Sequence, residues 1–133
     1  MYTAVVLYPG PIRKTLIAEL DALCPEAKEW ELIAHHVTLK MGSAGLTYAH
    51  ALDKPCVFTV DAWGRLGHRV VAVRVTELTC NGQRLTCTRR EGQLHVTMRL
   101  NRSVGAKPVE SNKITNWVPF STPFTMNGRL QQC

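Results

Sequence analysis

Apolar residues recur at two different spacings along this chain. Ile12, Leu16, Ile17, Leu20 and Leu23 follow the spacing of a single helix face, which predicts an amphipathic helix over 12–23. Pro9-Gly10-Pro11 breaks the chain before that helix, and Pro25 comes shortly after it. Elsewhere the apolar runs are short, alternating and rich in β-branched residues. They predict strands over 3–8, 32–41, 56–63, 69–76 and 93–100, with a last strand or hairpin over 124–130 around Asn127-Gly128. Gly64 and Gly67 bound a connection suited to a hairpin between 56–63 and 69–76. Asn81-Gly82 predicts a further hairpin within 77–88. The remainder reads as connections: a loop or short turn over 26–31, small residues in a loop or irregular helical turn over 42–51, and a polar turn at Arg89-Arg90-Glu91-Gly92. A loop over 101–106 leads to a compact polar stretch at 107–113 with room for one helical turn. Pro119 and Pro123 then bracket a linker. The layout is α+β, strand-rich with one helix near the start, and no linker divides it, so 1–133 reads as a single domain.

Two of the predicted strands carry the same short pattern. His36-Val37-Thr38 lies in the strand over 32–41, and His95-Val96-Thr97 in the strand over 93–100. Strand side chains alternate, so His and Thr two apart share a face. Each stretch presents one imidazole beside one hydroxyl. Two such pairs facing one another would combine two proton-transfer groups with two hydroxyl donors, an inventory suited to acid–base chemistry at a phosphodiester. The same alternation extends the first face to Lys40 and the second to Arg99, and turns His35 toward the core or its edge.

Composition narrows the classes. At 45% hydrophobic and 20% charged, the chain has the profile of a globular protein. No apolar run approaches the roughly 20 residues needed to span a bilayer, which excludes a membrane helix. The first eight residues are apolar but lack a basic flank, so they read as a strand rather than a secretory signal. A net charge of +6 favours a polyanionic partner such as a nucleotide or oligonucleotide. Basic clusters at Arg84, Arg89 and Arg90, and at Arg99, Arg102 and Lys107, fit that reading or a solvated face equally. The five cysteines are odd in number and form no CxxC. This predicts reduced thiols in a cytoplasmic setting, with Cys80 and Cys87 near one another across the Asn81-Gly82 turn. Nothing in the sequence marks an obligate protein partner. No zinc spacing or dense carboxylate cluster marks a metal or cofactor site.

Two His-x-Thr-apolar stretches on separate strands resemble the signature of the two-histidine (2H) phosphoesterases. They read His36-Val37-Thr38-Leu39 and His95-Val96-Thr97-Met98 here. The stretch from Ala34 to Leu39 resembles the first motif of the LigT-like and tRNA-ligase cyclic-phosphodiesterase branch. The stretch from Val104 to Asn112 resembles the segment C-terminal to the second motif in that branch. The resemblance implies a two-lobed α+β fold with antiparallel strands around a central cleft, the second lobe short of helix. It implies metal-independent phosphodiester cleavage by His36, Thr38, His95 and Thr97. As substrates it implies RNA ends bearing 2′,3′-cyclic phosphates. Compact members carried by viruses and phages instead degrade cyclic or 2′-5′-linked signals of host immunity, and the short second lobe tilts the expectation toward these.

Substrate-binding candidates outside the four are Tyr8, Lys40, Arg99, Lys107, Glu110, Ser111 and Trp117. Tyr8 would stack on a base, and Trp117 and Glu110 fall in the segment that helps form the nucleobase pocket in related enzymes. Tyr8 and Trp117 suit core positions at least as well. Two rival readings stand beside the enzyme. A zinc site using His35, His36 and His95 meets the objection that adjacent strand residues point to opposite faces. A non-catalytic RNA-binding module would use the charge and the aromatic residues, but has no need of two His–Thr pairs.

Overall fold

The computed structural model describes residues 1–85 and 93–133. The elements in order are β1 (Tyr2–Leu7), α1 (Pro11–Leu23), β2 (Glu31–Leu32), β3 (His36–Met41), α2 (Gly45–Tyr48), β4 (Pro55–Leu66), β5 (Val70–Cys80), β6 (Gln83–Arg84), β7 (His95–Leu100) and β8 (Val118–Gln132). Short 3-10 turns occupy 25–27, 49–51, 102–104 and 108–113. The strands run in the order β2-β7-β3-β1-β8-β4-β5-β6, and β7 also pairs with β5. That last pairing closes β7, β3, β1, β8, β4 and β5 into a six-stranded antiparallel barrel. The fold is α+β and antiparallel. The two motif strands are neighbours in this one barrel.

The barrel interior is set by the alternation. Val5 and Leu7 of β1, Val37 and Leu39 of β3, Val71, Val73 and Val75 of β5, and Val96 and Met98 of β7 all enter one buried cluster. In β4 the pairing shifts between Val60 and Ala62. The interior face therefore passes from Phe58 and Val60 to Trp63, which packs against the same cluster. Helix α1 begins with Pro11 at its first turn and adds Leu16 and Leu20 to the interior. Among the described residues no helix is long and apolar enough to cross a membrane.

A second, smaller cluster lies on the outer face of β5 and β7. It joins Val70, Ala72 and Leu100 to Ala106 and Ile114, with Trp117 packed at its edge. The segment after β7 thus folds back over the barrel wall. Gly64 permits this approach, since a Cβ there would sit 2.6 Å from Ile114 Cγ2 and 3.0 Å from Trp117 Cε3.

Several expectations are revised. The proline-bracketed linker is part of β8, which continues as a strand by letting 120–123 stand opposite Asp61 alone, between the Phe124–Val60 and Pro119–Ala62 pairs. Cys56 and Cys80 face each other across β4 and β5 and form a disulfide, against the expectation of reduced thiols. Neither residue's neighbourhood in sequence reveals that register. Closing a loop with a sequence separation of 24 contributes about 3.5 kcal/mol in the chain-entropy account. Cys24 is a buried free thiol and Cys133 an exposed one. The Asn81-Gly82 turn forms with positive φ at both residues, as the sequence predicts. The rest of that hairpin, Cys87, and the turn with Arg89 and Arg90 lie outside the described residues.

Candidate active site

Both motifs lie on the barrel wall with their valines inward. Val37 pairs with Val96 across β3 and β7. The strands are antiparallel, so His36 comes beside Thr97 and Thr38 beside His95, all on the outward face. All four line one cleft of about 380 Å³. Tyr2 and Met41 form one wall, from β1 and β3. Pro108, Val109 and Asn112 form the other, from the segment folded over β5 and β7, with Ile33 completing the lining.

Local chain geometry sets up this arrangement. Four residues separate Leu32 from Val37, while their partners Arg99 and Val96 are separated by two. The surplus is absorbed at Ala34, whose φ of 42° is unusual for a residue with a Cβ. Ala34 N–H donates to Thr97 O at 2.9 Å, and the Arg13 guanidinium donates to Ala34 O at 3.0 Å, which secures the kink. His35 is consequently exposed rather than turned toward the core. Its Nδ1 lies 3.0 Å from His36 Nδ1.

Each histidine is held differently. The His36 ring stacks on Tyr2, with centroids 4.8 Å apart and planes at 29°. Tyr2 is in turn fixed by paired backbone bonds with Cys133 of 3.0 and 2.8 Å. Burial, then the neighbouring His35 and His95, lower the His36 pKa from the ordinary 6.5 to about 4. His36 is therefore neutral near pH 7. His95 has its Nδ1 2.9 Å from Gln93 O, so Nδ1 carries the proton and donates to that carbonyl. The Thr97 hydroxyl is buried and lies 2.8 Å from Ser111 Oγ.

None of the remaining candidates, Tyr8, Lys40, Arg99, Lys107, Glu110, Ser111 and Trp117, is among the residues that line the cleft. The pairing of β1 with β3 shifts between Thr3 and Ala4, so Met41 comes opposite Tyr2 and lines the cleft where alternation placed Lys40. Lys40 Nζ lies near Gly45 instead. The pairing of β5 with β7 shifts likewise between Val71 and Ala72, and Arg99 pairs with Asp21 of α1 at 2.8 Å. Each motif thus ends at an irregularity just beyond its threonine, which single-strand periodicity cannot register. Tyr8 lines a separate cavity of about 220 Å³ beside the start of α1. Trp117 packs into the outer cluster. The Glu110 carboxylate binds Arg69 at 2.5 Å and accepts the Lys107 backbone N–H, and the Arg69 guanidinium holds its pKa below the ordinary value. Ser111 reaches the site only through Thr97.

Sequence reasoning missed Tyr2, Ile33, Met41, Pro108, Val109 and Asn112. Tyr2 had a usable signal, since it shares parity with Ala4 and Val6 rather than with the interior Val5 and Leu7. Among the described residues no group of three or more His, Cys, Asp or Glu side chains is placed to hold a metal ion. Compared with protein-family models, with curated proteins and with solved structures, the chain finds no match.

Proposed function

We propose that this protein is a phosphodiesterase of the two-histidine type, cleaving without a metal a cyclic or 2′-5′/3′-5′-linked oligonucleotide or, alternatively, a 2′,3′-cyclic phosphate. The observation that carries the reading is the convergence of His36, Thr38, His95 and Thr97 on one cleft. Both pairs sit on adjacent strands of one six-stranded barrel.

The surroundings divide the proton work. His36 is neutral near pH 7 and accepts the proton of the attacking oxygen, either water or a ribose 2′-hydroxyl. His95 donates through Nδ1 to Gln93 O, a contact that also stabilises the doubly protonated ring, and gives its Nε2 proton to the leaving oxygen. The two threonine hydroxyls donate to the non-bridging oxygens, where charge builds in the transition state. In hydrolysis of a 2′,3′-cyclic phosphate, water forms the new P–O bond and one ribose oxygen leaves with the proton from His95.

The test is a parallel turnover screen of 2′,3′-cyclic mononucleotides, 2′-5′ oligoadenylate and cyclic dinucleotides, with and without EDTA. Turnover unaffected by EDTA and lost in His36→Ala is expected. Wild-type turnover by His36→Ala, or an EDTA loss restored by zinc, would refute the mechanism. Binding of single-stranded RNA with no turnover of any diester would favour an RNA-binding module instead.

A further inference from the structure

The net charge of +6 predicts a polyanionic ligand, yet the described residues that line the cleft do not carry that charge. Among the described residues that line it, none is Lys, Arg, Asp or Glu. The two cations that alternation aims at it are directed elsewhere, Lys40 toward Gly45 and Arg99 onto Asp21. The lips are apolar and open to solvent: Met41 is 68% exposed on one wall and Val109 65% on the other. Exposed apolar side chains flanking a polar floor suit the faces of a nucleobase. Asn112 adds an amide with two donor hydrogens and an acceptor, suited to a base edge.

We propose that the cleft selects a ligand with a single diester monoanion flanked by a base. The class is nucleoside 2′,3′-cyclic phosphates or linked dinucleosides with a free 5′-hydroxyl, as against nucleotides carrying a terminal phosphate monoester. This rests on the phosphodiesterase reading. Two-histidine catalysis places one protonated imidazole in the cleft, and one positive charge matches one diester. A terminal monoester carries close to two negative charges at pH 7. The described walls offer it no cation in return for the water that their apolar side chains displace on contact. The same asymmetry favours product release. Water adds across the P–O bond, a ribose hydroxyl is freed, and the monoester formed loses its second proton near neutral pH.

The experiment compares nucleoside 2′,3′-cyclic phosphates of all four bases with their 5′-phosphorylated counterparts. Turnover and calorimetric binding are both read on the whole wild-type chain, from about 0.05 to about 0.5 M salt. The 5′-hydroxyl forms should show kcat/KM at least about tenfold higher, the scale of one poorly compensated charge. The salt dependence should be shallower than that of one phosphate contact. Val109→Lys should narrow the ratio and steepen the salt dependence. Preference for the 5′-phosphorylated forms, or an unchanged ratio in Val109→Lys, would overturn the proposal. So would a steep salt dependence, including one removed by joint Arg89→Ala and Arg90→Ala substitution, which would locate a cation in that segment. If no diester is turned over, the phosphodiesterase reading fails and binding decides the selectivity. Tighter binding of the 5′-hydroxyl forms supports it, while equal, weaker or absent binding overturns it.

Discussion

His36 and His95 share a motif and a place on adjacent strands, yet their surroundings differ in kind. His36 is stacked by Tyr2, crowded by His35 and desolvated, so its charged form is disfavoured. His95 has a backbone carbonyl as its Nδ1 partner, which fixes the proton on Nδ1 and leaves Nε2 for other partners. The threonines differ too: Thr38 is half-buried, while Thr97 is buried against Ser111. Two copies of one pattern thus acquire different surroundings from neighbours that the pattern does not contain, and the proposed division into base and acid rests on that difference.

The largest effects come from removing either partner of that comparison. His36→Ala and His95→Ala should each lower kcat by about a thousandfold or more while the fold persists, read by steady-state kinetics beside circular dichroism. Thr38→Ala and Thr97→Ala should each cost about a hundredfold in kcat, the scale of one lost oxyanion donor. Ser111→Ala should cost about tenfold, because its hydroxyl bonds that of Thr97. In a Thr97→Ala background Ser111→Ala should add almost nothing. Additive losses in that double-mutant cycle would separate Ser111 from Thr97.

The asymmetry between the motifs explains what the sequence could convey. Alternation correctly put the His and Thr of each motif on one face, because strand parity is local. It failed at Lys40 and Arg99, where a shift in pairing with a third strand reverses parity just past each threonine. It also failed at His35, since the kink at Ala34 depends on how β2 and β3 share β7 as a partner. The Cys56–Cys80 bond shows the same limit, because opposition across β4 and β5 is a register and not a composition. Val109 and Asn112 arrive in the cleft through the outer cluster around Ile114, a long-range contact with no periodic trace.

Smaller effects sharpen the contrast through pH. A base must be neutral to act, so under the proposed mechanism the acidic limb of kcat/KM reports the free-enzyme pKa of His36. Tyr2→Ala would admit water to the ring and move that limb upward from about 4 toward 6.5. A rise of about half a unit would raise the protonated-to-neutral ratio roughly threefold on the limb. The corresponding change in His35→Ala should be smaller, because burial outweighs the His35 charge. An unmoved acidic limb in Tyr2→Ala would assign the low value to something other than stacking and burial.

The last and smallest effect is on stability. His36 has a folded pKa near 4, below the 6.5 of an exposed imidazole, so the unfolded chain binds its proton first as pH falls. The folded state is therefore unpenalised by this group above pH 6.5 and loses stability progressively as pH drops from 6.5 to about 4. Glu110, held below the ordinary carboxylate value by Arg69, loses its own contribution only as the pH falls below the ordinary 4.5, which separates the two in the titration. Urea unfolding across this range should show a shallower pH slope for His36→Ala than for wild type between pH 6.5 and 5. His95→Ala should retain most of the wild-type slope, since it removes only the smallest of the three influences on His36. Equal slopes in wild type and His36→Ala would mean that His36 charges as readily in the folded chain as in the unfolded one. The division of labour between the two motifs would then lose its physical basis.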